Sequence, residues 1–283
     1  MTVMSPAATA RPEVSRAGHI SLSVVDGVAT VEISNLSQRN ALTRAMCREV
    51  QELMPRLDAD PDVAVVVLRG DGNTFCAGAA ISELASVLID PQADGSTVDH
   101  LSAADAAIAS VSKPTVALVE GACMGGGWQI ASACDFIIAN DQAVIGLTPA
   151  KIGIIYPRPG LERLIRQVGH AKAKYILLTG QTFSATEACA LSLVADVVPS
   201  ESFEEKCAAL VSTLRSRSRF SMHAMKRLVD LTDLADVPGS SLAVIEQEWA
   251  EAWSAMPDSP DMGIGIQAFL TREQPQFRWQ PGA

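Results

Sequence analysis

The sequence predicts an α/β protein whose sheet is mostly parallel. Two observations support this prediction: strand and helix patterns alternate between residues 20 and 139, and the chain from residue 161 onward is almost entirely helical. The strand–helix–strand order implies right-handed crossovers. With 283 residues, 48% of them hydrophobic, the chain has enough apolar side chains to fill a large core.

The first part of the pattern contains a hairpin, three helices and several buried strands. Asp26 and Gly27 form a two-residue turn between short apolar segments, and Thr43 is the predicted N-cap of the first helix. Continuous β-branched runs such as residues 63–68 are typical of strands buried on both faces. The predicted strands are residues 20–25, 28–33, 63–68, 115–119 and 136–139. The predicted helices between them are residues 41–57, 101–111 and 128–134.

The second part is predicted to be helical except for one short strand, residues 194–198. Segments with a helical period are residues 161–168, 171–178, 185–190, 203–215, 218–231, 241–256 and 260–271. Residues 90–99 are polar, contain Pro91 and Gly95, and are predicted to be a mobile loop. We therefore expect a disordered leader (residues 1–18), an α/β core (19–200) and a helical C-terminal region (201–283).

The charge of the chain argues against two classes of partner. Lys and Arg number 22 against 32 Asp and Glu, a formal net charge of −10. This excess of negative charge repels nucleic-acid phosphates and anionic membranes. No apolar run is long enough to span a membrane, and the first residues lack the apolar segment of a secretory signal. We therefore expect a cytoplasmic protein that binds neither nucleic acid nor membrane.

The cysteines and histidines show no metal-binding pattern. The six cysteines contain no C-x-x-C pair and lie mostly in apolar surroundings, which indicates free, buried thiols. The four histidines have no metal-ligand spacing, so we expect no metal site.

Two glycine-containing segments carry the strongest functional signal. Residues 75–81 include Gly78, residues 121–128 include a run of three glycines, and both follow predicted buried strands. Glycine lets the backbone approach a ligand closely, and the start of a helix presents unpaired N–H groups at the positive end of its dipole. Two such donors that converge on one oxygen form an oxyanion hole. Taken alone, the glycines are equally compatible with tight turns.

These two segments, together with other landmarks, make the sequence resemble the crotonase (enoyl-CoA hydratase/isomerase) superfamily from about Ile20 to Trp279. The matching landmarks are residues 38–42, 77–81, 125–127, 133–135, 178–180, 185–188, 194–198 and 268–270. The resemblance implies a spiral of ββα units with a helical C-terminal trimerisation region. It also implies a homotrimer or hexamer.

The resemblance also implies the ligand and its contacts. The backbone N–H groups of Ala79 and Gly126 would form the oxyanion hole. The substrate would be an acyl-CoA or acyl-carrier thioester, so that coenzyme A is part of the substrate and no separate cofactor is needed. Ala41 and Ala77 would contact the adenine through their backbones, with Phe269 near the same end.

Arg39, Lys113 and Arg278 are candidates to bind the coenzyme A phosphates, although each is equally compatible with an ordinary surface charge.

The chain departs from the family at the two glutamates that deliver water in hydratases. Gln129 stands at the first position and Pro149 at the second. An amide can orient a water or substrate but has no useful basicity at neutral pH, so hydration by two carboxylates is disfavoured. Decarboxylation needs no strong base, because the loss of CO₂ itself generates the enolate. Residues 148–156 resemble the matching stretch of methylmalonyl-CoA decarboxylases, where Tyr156 would lie over the acyl group.

Three functions stay open. The leading hypothesis is decarboxylation of a malonyl-type thioester through an enolate. The second is an enoyl-CoA hydratase or isomerase whose base has moved to Glu83, His100 or a less obvious residue. The third is a non-catalytic protein that binds acyl-CoA. Each candidate side chain also has a structural explanation: Glu83 suits the first turn of a helix, His100 suits a surface position after a loop, and Tyr156 suits the core.

Overall fold

The computed structural model describes residues 18–232 and 242–280. Its strands are β1 (His19–Val25), β2 (Val28–Ser34), β3 (Val65–Gly70), β4 (Asp90–Pro91), β5 (Thr97–Val98), β6 (Thr115–Val119), β7 (Ala122–Met124), β8 (Phe136–Asn140), β9 (Val144–Gly146), β10 (Thr182–Ser184) and β11 (Asp196–Val198). Its helices are α1 (Arg44–Ala59), α2 (Leu84–Leu88), α3 (His100–Ala109), α4 (Gly126–Ser132), α5 (Arg158–Thr179), α6 (Ala185–Ala190), α7 (Phe203–Arg215), α8 (Arg219–Thr232), α9 (Leu242–Ala255) and α10 (Pro260–Thr271).

The main sheet confirms the predicted α/β architecture. Its six strands are ordered β1-β2-β3-β6-β8-β11; β1 and β2 are antiparallel, and every other neighbouring pair is parallel. Strand β6 is buried along its whole length, as its apolar sequence predicts. The carboxyl ends of β3 and β6 lead into the two glycine-containing segments.

A second, three-stranded sheet, ordered β10-β9-β7, was not predicted. Its strands are three residues long, too short for a periodic pattern to reveal them. The predicted loop at residues 90–99 was also wrong in part, because β4 and β5 pair within it as a short hairpin. Gly95, with φ of +84°, provides the turn that allows this pairing.

Two helix boundaries differ from the prediction for clear physical reasons. The hydroxyl of Thr43 accepts a hydrogen bond from the Met46 amide, which confirms the predicted N-cap. Helix α1 begins after Leu42 because that residue pairs its backbone with the segment around Ala79. The predicted helices at 161–168 and 171–178 are joined in α5, which is interrupted at Gly169, where φ is +78°.

The core contains most of the cysteines. Cys47, Cys76, Cys123, Cys134 and Cys207 are free and buried, as predicted, whereas Cys189 is partly exposed. Burial raises the pKa of the Cys76 thiol to about 12.

The predicted leader falls almost entirely outside the described residues, and so does Ser241 at the start of a predicted helix. In the part of the chain that is described, no helix is long and apolar enough to cross a membrane. The domain division, the trimeric assembly and the cytoplasmic location stay predictions.

Candidate active site

The first glycine-containing segment is held by backbone hydrogen bonds to the residue before α1's N-cap. The Leu42 N–H donates to the Gly78 carbonyl at 2.7 Å, and the Ala80 N–H donates to the Leu42 carbonyl at 2.8 Å. Gly78 adopts φ of +101°, which favours glycine. Between these bonds lies the N–H of Ala79, which has no acceptor among the described residues. This amide is therefore available to a ligand.

The second segment is held at the start of α4. The Gly125 N–H donates to the Gly146 carbonyl in the small sheet at 2.7 Å, and Gly125 has φ of +50° and ψ of −112°. Gly126 is the first residue of the helix, so its N–H lacks an acceptor within the helix. It has none elsewhere among the described residues either. A second free amide is thus presented at a helix start.

These two amides lie on adjacent turns. A methyl group placed on Gly126 would lie 3.3 Å from the Ala79 nitrogen, and one placed on Gly78 would lie 3.5 Å from the Gly126 nitrogen. Because both positions lack the space for a larger side chain, the glycines permit this approach. The structure therefore brings together the two amides that the sequence singled out.

Ala79 and Gly126 line one mainly apolar cavity that opens to solvent. The other lining residues are Ala77, Gly78, Ile81, Leu84, Leu88, Leu101, Gly125, Thr148, Pro149, Ile152, Ile154, Tyr156 and Pro157. None of the described residues that line it has a carboxylate or imidazole side chain. The cavity thus offers two backbone donors and apolar walls.

Tyr156 lines the cavity, but its hydroxyl is directed at the backbone. It donates a hydrogen bond of 2.9 Å to the carbonyl of Gly125. Burial raises the pKa of Tyr156 well above its ordinary value, so the hydroxyl keeps its proton at neutral pH. A hydrogen bond from this hydroxyl to an acyl group would therefore have to replace its hydrogen bond to the Gly125 carbonyl.

Gln129 is not among the residues that line the cavity, contrary to what a substrate-orienting role requires. Its side chain is fully buried, and neither Oε1 nor Nε2 has a hydrogen-bond partner in the described structure. A methyl group on Gly160 would contact both Gln129 Cγ, at 3.0 Å, and Tyr156 Cε1, at 2.7 Å. The side chain of Gln129, on α4, therefore packs against α5.

Glu83 and His100, the candidates for a displaced base, are both engaged outside the cavity. Glu83 Oε2 accepts a hydrogen bond of 3.1 Å from the Arg44 amide at the start of α1. His100 Nε2 lies 3.1 Å from Asp90 Oδ2. The expectation that His100 lies on the surface was wrong, because α3 places its ring in the protein interior.

The predicted coenzyme A contacts are divided between the cavity and its surroundings. Ala77 lines the cavity, and its N–H donates to the Arg39 carbonyl at 3.0 Å. Arg39 is exposed, whereas Ala41 is buried and its carbonyl accepts a hydrogen bond from Asn35. Phe269, on α10, is 84% exposed, so nothing within the described chain covers its ring.

Lys113 is not a phosphate-binding surface residue. Its side chain is buried, and Nζ donates to the Leu57 carbonyl at 2.7 Å and to the Asp60 carbonyl at the end of α1. The Lys113 ammonium thus donates hydrogen bonds to carbonyls at the C-terminal end of α1, which lack partners within the helix. Arg278 is exposed, and its backbone N–H donates to Asp261.

Several residues of the cavity were missed by sequence reasoning. Leu101 is the clearest case, because a methyl group on Gly126 would lie 3.0 Å from its Cδ2 atom. It faces the free amide from the first turn of α3. An apolar residue on a helix gives no signal that separates a cavity wall from ordinary core packing.

The mostly parallel sheet, with two free amides over an apolar cavity, defines a crotonase-fold protein. The chain belongs to the enoyl-CoA hydratase/isomerase family, whose model matches residues 24–280. It is 33% identical over 257 residues to a "probable enoyl-CoA hydratase" of Mycobacterium leprae, covering 90% of this chain and 96% of that protein.

Solved structures agree with this family. The crystal structure of an enoyl-CoA hydratase/isomerase family member superposes with a TM-score of 0.90 at 80% identity, covering 94% of this chain and all of that one. An enoyl-CoA hydratase from Bacillus anthracis superposes with a TM-score of 0.80 at 27% identity, covering 93% of this chain and all of that one.

Proposed function

We propose that this protein binds an acyl-CoA thioester and stabilises its enolate with the N–H groups of Ala79 and Gly126. The observation that carries this proposal is the pair of free amides on adjacent turns, both lining one cavity. Two donors aimed at the thioester oxygen stabilise the negative charge that develops there, and each contributes roughly 3–4 kcal/mol to the transition state.

The coenzyme A part of the substrate would lie outside the apolar cavity. Ala77 lines the cavity, and its N–H donates to the carbonyl of the exposed Arg39. We propose that the backbones of Ala41 and Ala77 contact the adenine and that Arg39 faces the phosphates. Phe269 would reach the adenine end.

Hydration or isomerisation of an enoyl-CoA is the reaction that the relatives favour. The similar proteins of known sequence and structure carry the names of enoyl-CoA hydratases or of members of that family. In this chain the water would need a base other than the two family glutamates, since Gln129 and Pro149 occupy their positions.

Decarboxylation of a malonyl-type thioester is the second candidate, and the cavity itself favours it. None of its described lining residues can act as a carboxylate or imidazole base. In this reaction the bond between the α-carbon and the carboxylate breaks, and its electron pair forms the enolate. Water then returns one proton to the α-carbon.

One assay separates these reactions. Purified protein is incubated with crotonyl-CoA and with methylmalonyl-CoA, and the loss of enoyl absorbance and the release of CO₂ are followed. Turnover of crotonyl-CoA alone would establish hydration and eliminate decarboxylation; CO₂ release alone would do the reverse. Tight acyl-CoA binding without turnover of either would contradict both and favour a non-catalytic protein.

A matched pair of variants tests the displaced-base form of the hydratase. We expect Glu83→Gln to change kcat less than about threefold, because the carboxylate serves the Arg44 amide. Glu49→Gln is the control, since Glu49 also accepts a backbone N–H, that of Ile20, at 2.7 Å. Loss of crotonyl-CoA turnover in the Glu83 variant alone would identify Glu83 as the base.

We also propose a homotrimer or hexamer assembled through the C-terminal helices. Several large apolar side chains on α8–α10 are more than half exposed: Met225, Val229, Trp253, Ile266, Phe269 and Leu270. Sedimentation of the full chain at micromolar concentration tests this assembly, and a monomer would contradict it.

A further inference from the structure

The hydroxyl of Tyr156 acts on the same peptide unit that carries one of the free amides. The carbonyl of Gly125 and the N–H of Gly126 belong to one planar peptide group. Tyr156 Oη donates to that carbonyl oxygen at 2.9 Å. Since the carbonyl and the N–H point in opposite directions, a donor fixed on the carbonyl end also fixes where the N–H points.

The other free amide has the same arrangement with a different donor. The carbonyl of Gly78 and the N–H of Ala79 share a peptide group, and the Leu42 N–H donates to that carbonyl at 2.7 Å. Both peptide groups are thus held at the carbonyl end and free at the N–H end. The Gly125 carbonyl also accepts the Gln129 N–H at 3.1 Å, so the Tyr156 hydroxyl is the second and shorter of the two hydrogen bonds to this oxygen.

The additional hydrogen bond from Tyr156 matters because the Gly125–Gly126 peptide joins two residues without a Cβ atom. A methyl group on Gly125 would meet no atom within 4 Å, so hydrogen bonds, and not side-chain packing at Gly125, hold the peptide there. A hydrogen bond to a peptide carbonyl also polarises the group and makes its N–H a stronger donor.

We propose that Tyr156 is a positioning residue that holds the Gly125–Gly126 peptide so that the Gly126 N–H points at the thioester oxygen. This inference rests on the proposed function. In this proposal the Tyr156 hydroxyl binds the backbone, whereas the resemblance to decarboxylases implied that it contacts the acyl group. The raised pKa of the buried hydroxyl keeps it a donor across the neutral range.

The test measures the polarisation of a bound carbonyl directly. Butyryl-CoA labelled with ¹³C at the thioester carbonyl is bound to the protein, and the carbonyl stretch is recorded by infrared difference spectroscopy. We expect binding to the wild type to lower the frequency. In Tyr156→Phe about half of this shift should be lost, and kcat should fall about 5- to 10-fold with KM nearly unchanged.

Two further variants make the result specific. Tyr175→Phe is the matched control, because this exposed tyrosine accepts a hydrogen bond from Gln181 and lies on the outside of α5; it should behave as the wild type. Gly160→Ala keeps the Tyr156 hydroxyl but places a methyl group 2.7 Å from the ring, so it should also lose part of the shift. It provides the test if Tyr156→Phe does not fold.

The possible failures are distinguishable. A wild-type shift that persists in both Tyr156→Phe and Gly160→Ala while kcat falls would overturn the inference and indicate that the hydroxyl acts on the substrate. If the wild type binds butyryl-CoA without any carbonyl shift, both the proposed oxyanion hole and the role of Tyr156 are wrong.

Discussion

The segments around Ala79 and Gly126 present equivalent amides, yet they are held in place by different means. The first is fixed by two backbone hydrogen bonds to Leu42, which any residue other than proline at that position could make. The second is fixed by two backbone bonds, Gly125 N–H to the Gly146 carbonyl and Gln129 N–H to the Gly125 carbonyl, and in addition by the hydroxyl of Tyr156.

This difference shows how two halves of one site can differ in their sensitivity to sequence. A backbone donor survives most substitutions, whereas a side-chain donor is lost when one residue changes. We therefore expect substitutions in the chain to change hydrogen-bond donation by the Gly126 amide more than donation by the Ala79 amide.

The largest expected effect comes from removing one amide altogether. Gly126→Pro deletes the N–H at the first position of α4, where the helical backbone tolerates proline, and its ring also crowds Leu101 and the Ala79 nitrogen. We expect kcat to fall about 10²- to 10³-fold, because one of the two donors is lost. Circular dichroism and the melting temperature confirm folding, and a folded variant within tenfold of wild-type activity would show that the Gly126 amide has no catalytic role.

An intermediate effect should separate the two segments. Gly78→Ala strains a residue at φ of +101° and places a methyl group 3.0 Å from the Met124 carbonyl and 3.5 Å from the Gly126 nitrogen. Gly125→Ala strains the backbone at φ of +50° but meets no atom within 4 Å. We expect kcat/KM to fall roughly a hundredfold in the first and roughly tenfold in the second, since only the first also blocks the site. Equal losses would contradict this difference.

The smallest effect concerns the thiols beneath the segments and their dependence on pH. Burial raises the pKa of Cys76 from 9.0 to about 12 and raises that of Cys123 as well. Between pH 9 and 12 the unfolded chain loses thiol protons that the folded chain keeps, so the free energy of unfolding falls as pH rises.

Urea unfolding at pH 8 and pH 10 measures this dependence. We expect Cys76→Ser to weaken the loss of stability between the two pH values, with the partly exposed Cys189→Ser as the matched control. An identical loss in all three proteins would rule out Cys76 as a contributor.

The sequence predicted the parts of the molecule that depend on local patterns. The apolar runs located the main sheet, Thr43 was identified as a helix cap, and the glycines located both amide-bearing segments. These features follow from the backbone preferences of individual residues. The strands of the small sheet were missed because three residues are too few to show a period.

The destinations of side chains could not be predicted in the same way. Gln129 is turned away from the cavity, His100 is buried against Asp90, and the hydroxyl of Tyr156 contacts a backbone carbonyl. Each of these outcomes depends on which residues from distant elements meet there. Residue type alone shows what a group can do but not which atom it reaches.

The most direct test of the proposed site is a crystal structure of the protein with butyryl-CoA bound. We expect the thioester oxygen within about 2.7–3.1 Å of both the Ala79 and the Gly126 nitrogen atoms, the range of donors in oxyanion holes. A bound thioester whose oxygen lies beyond hydrogen-bond distance of either nitrogen would contradict the proposal that these two amides act together.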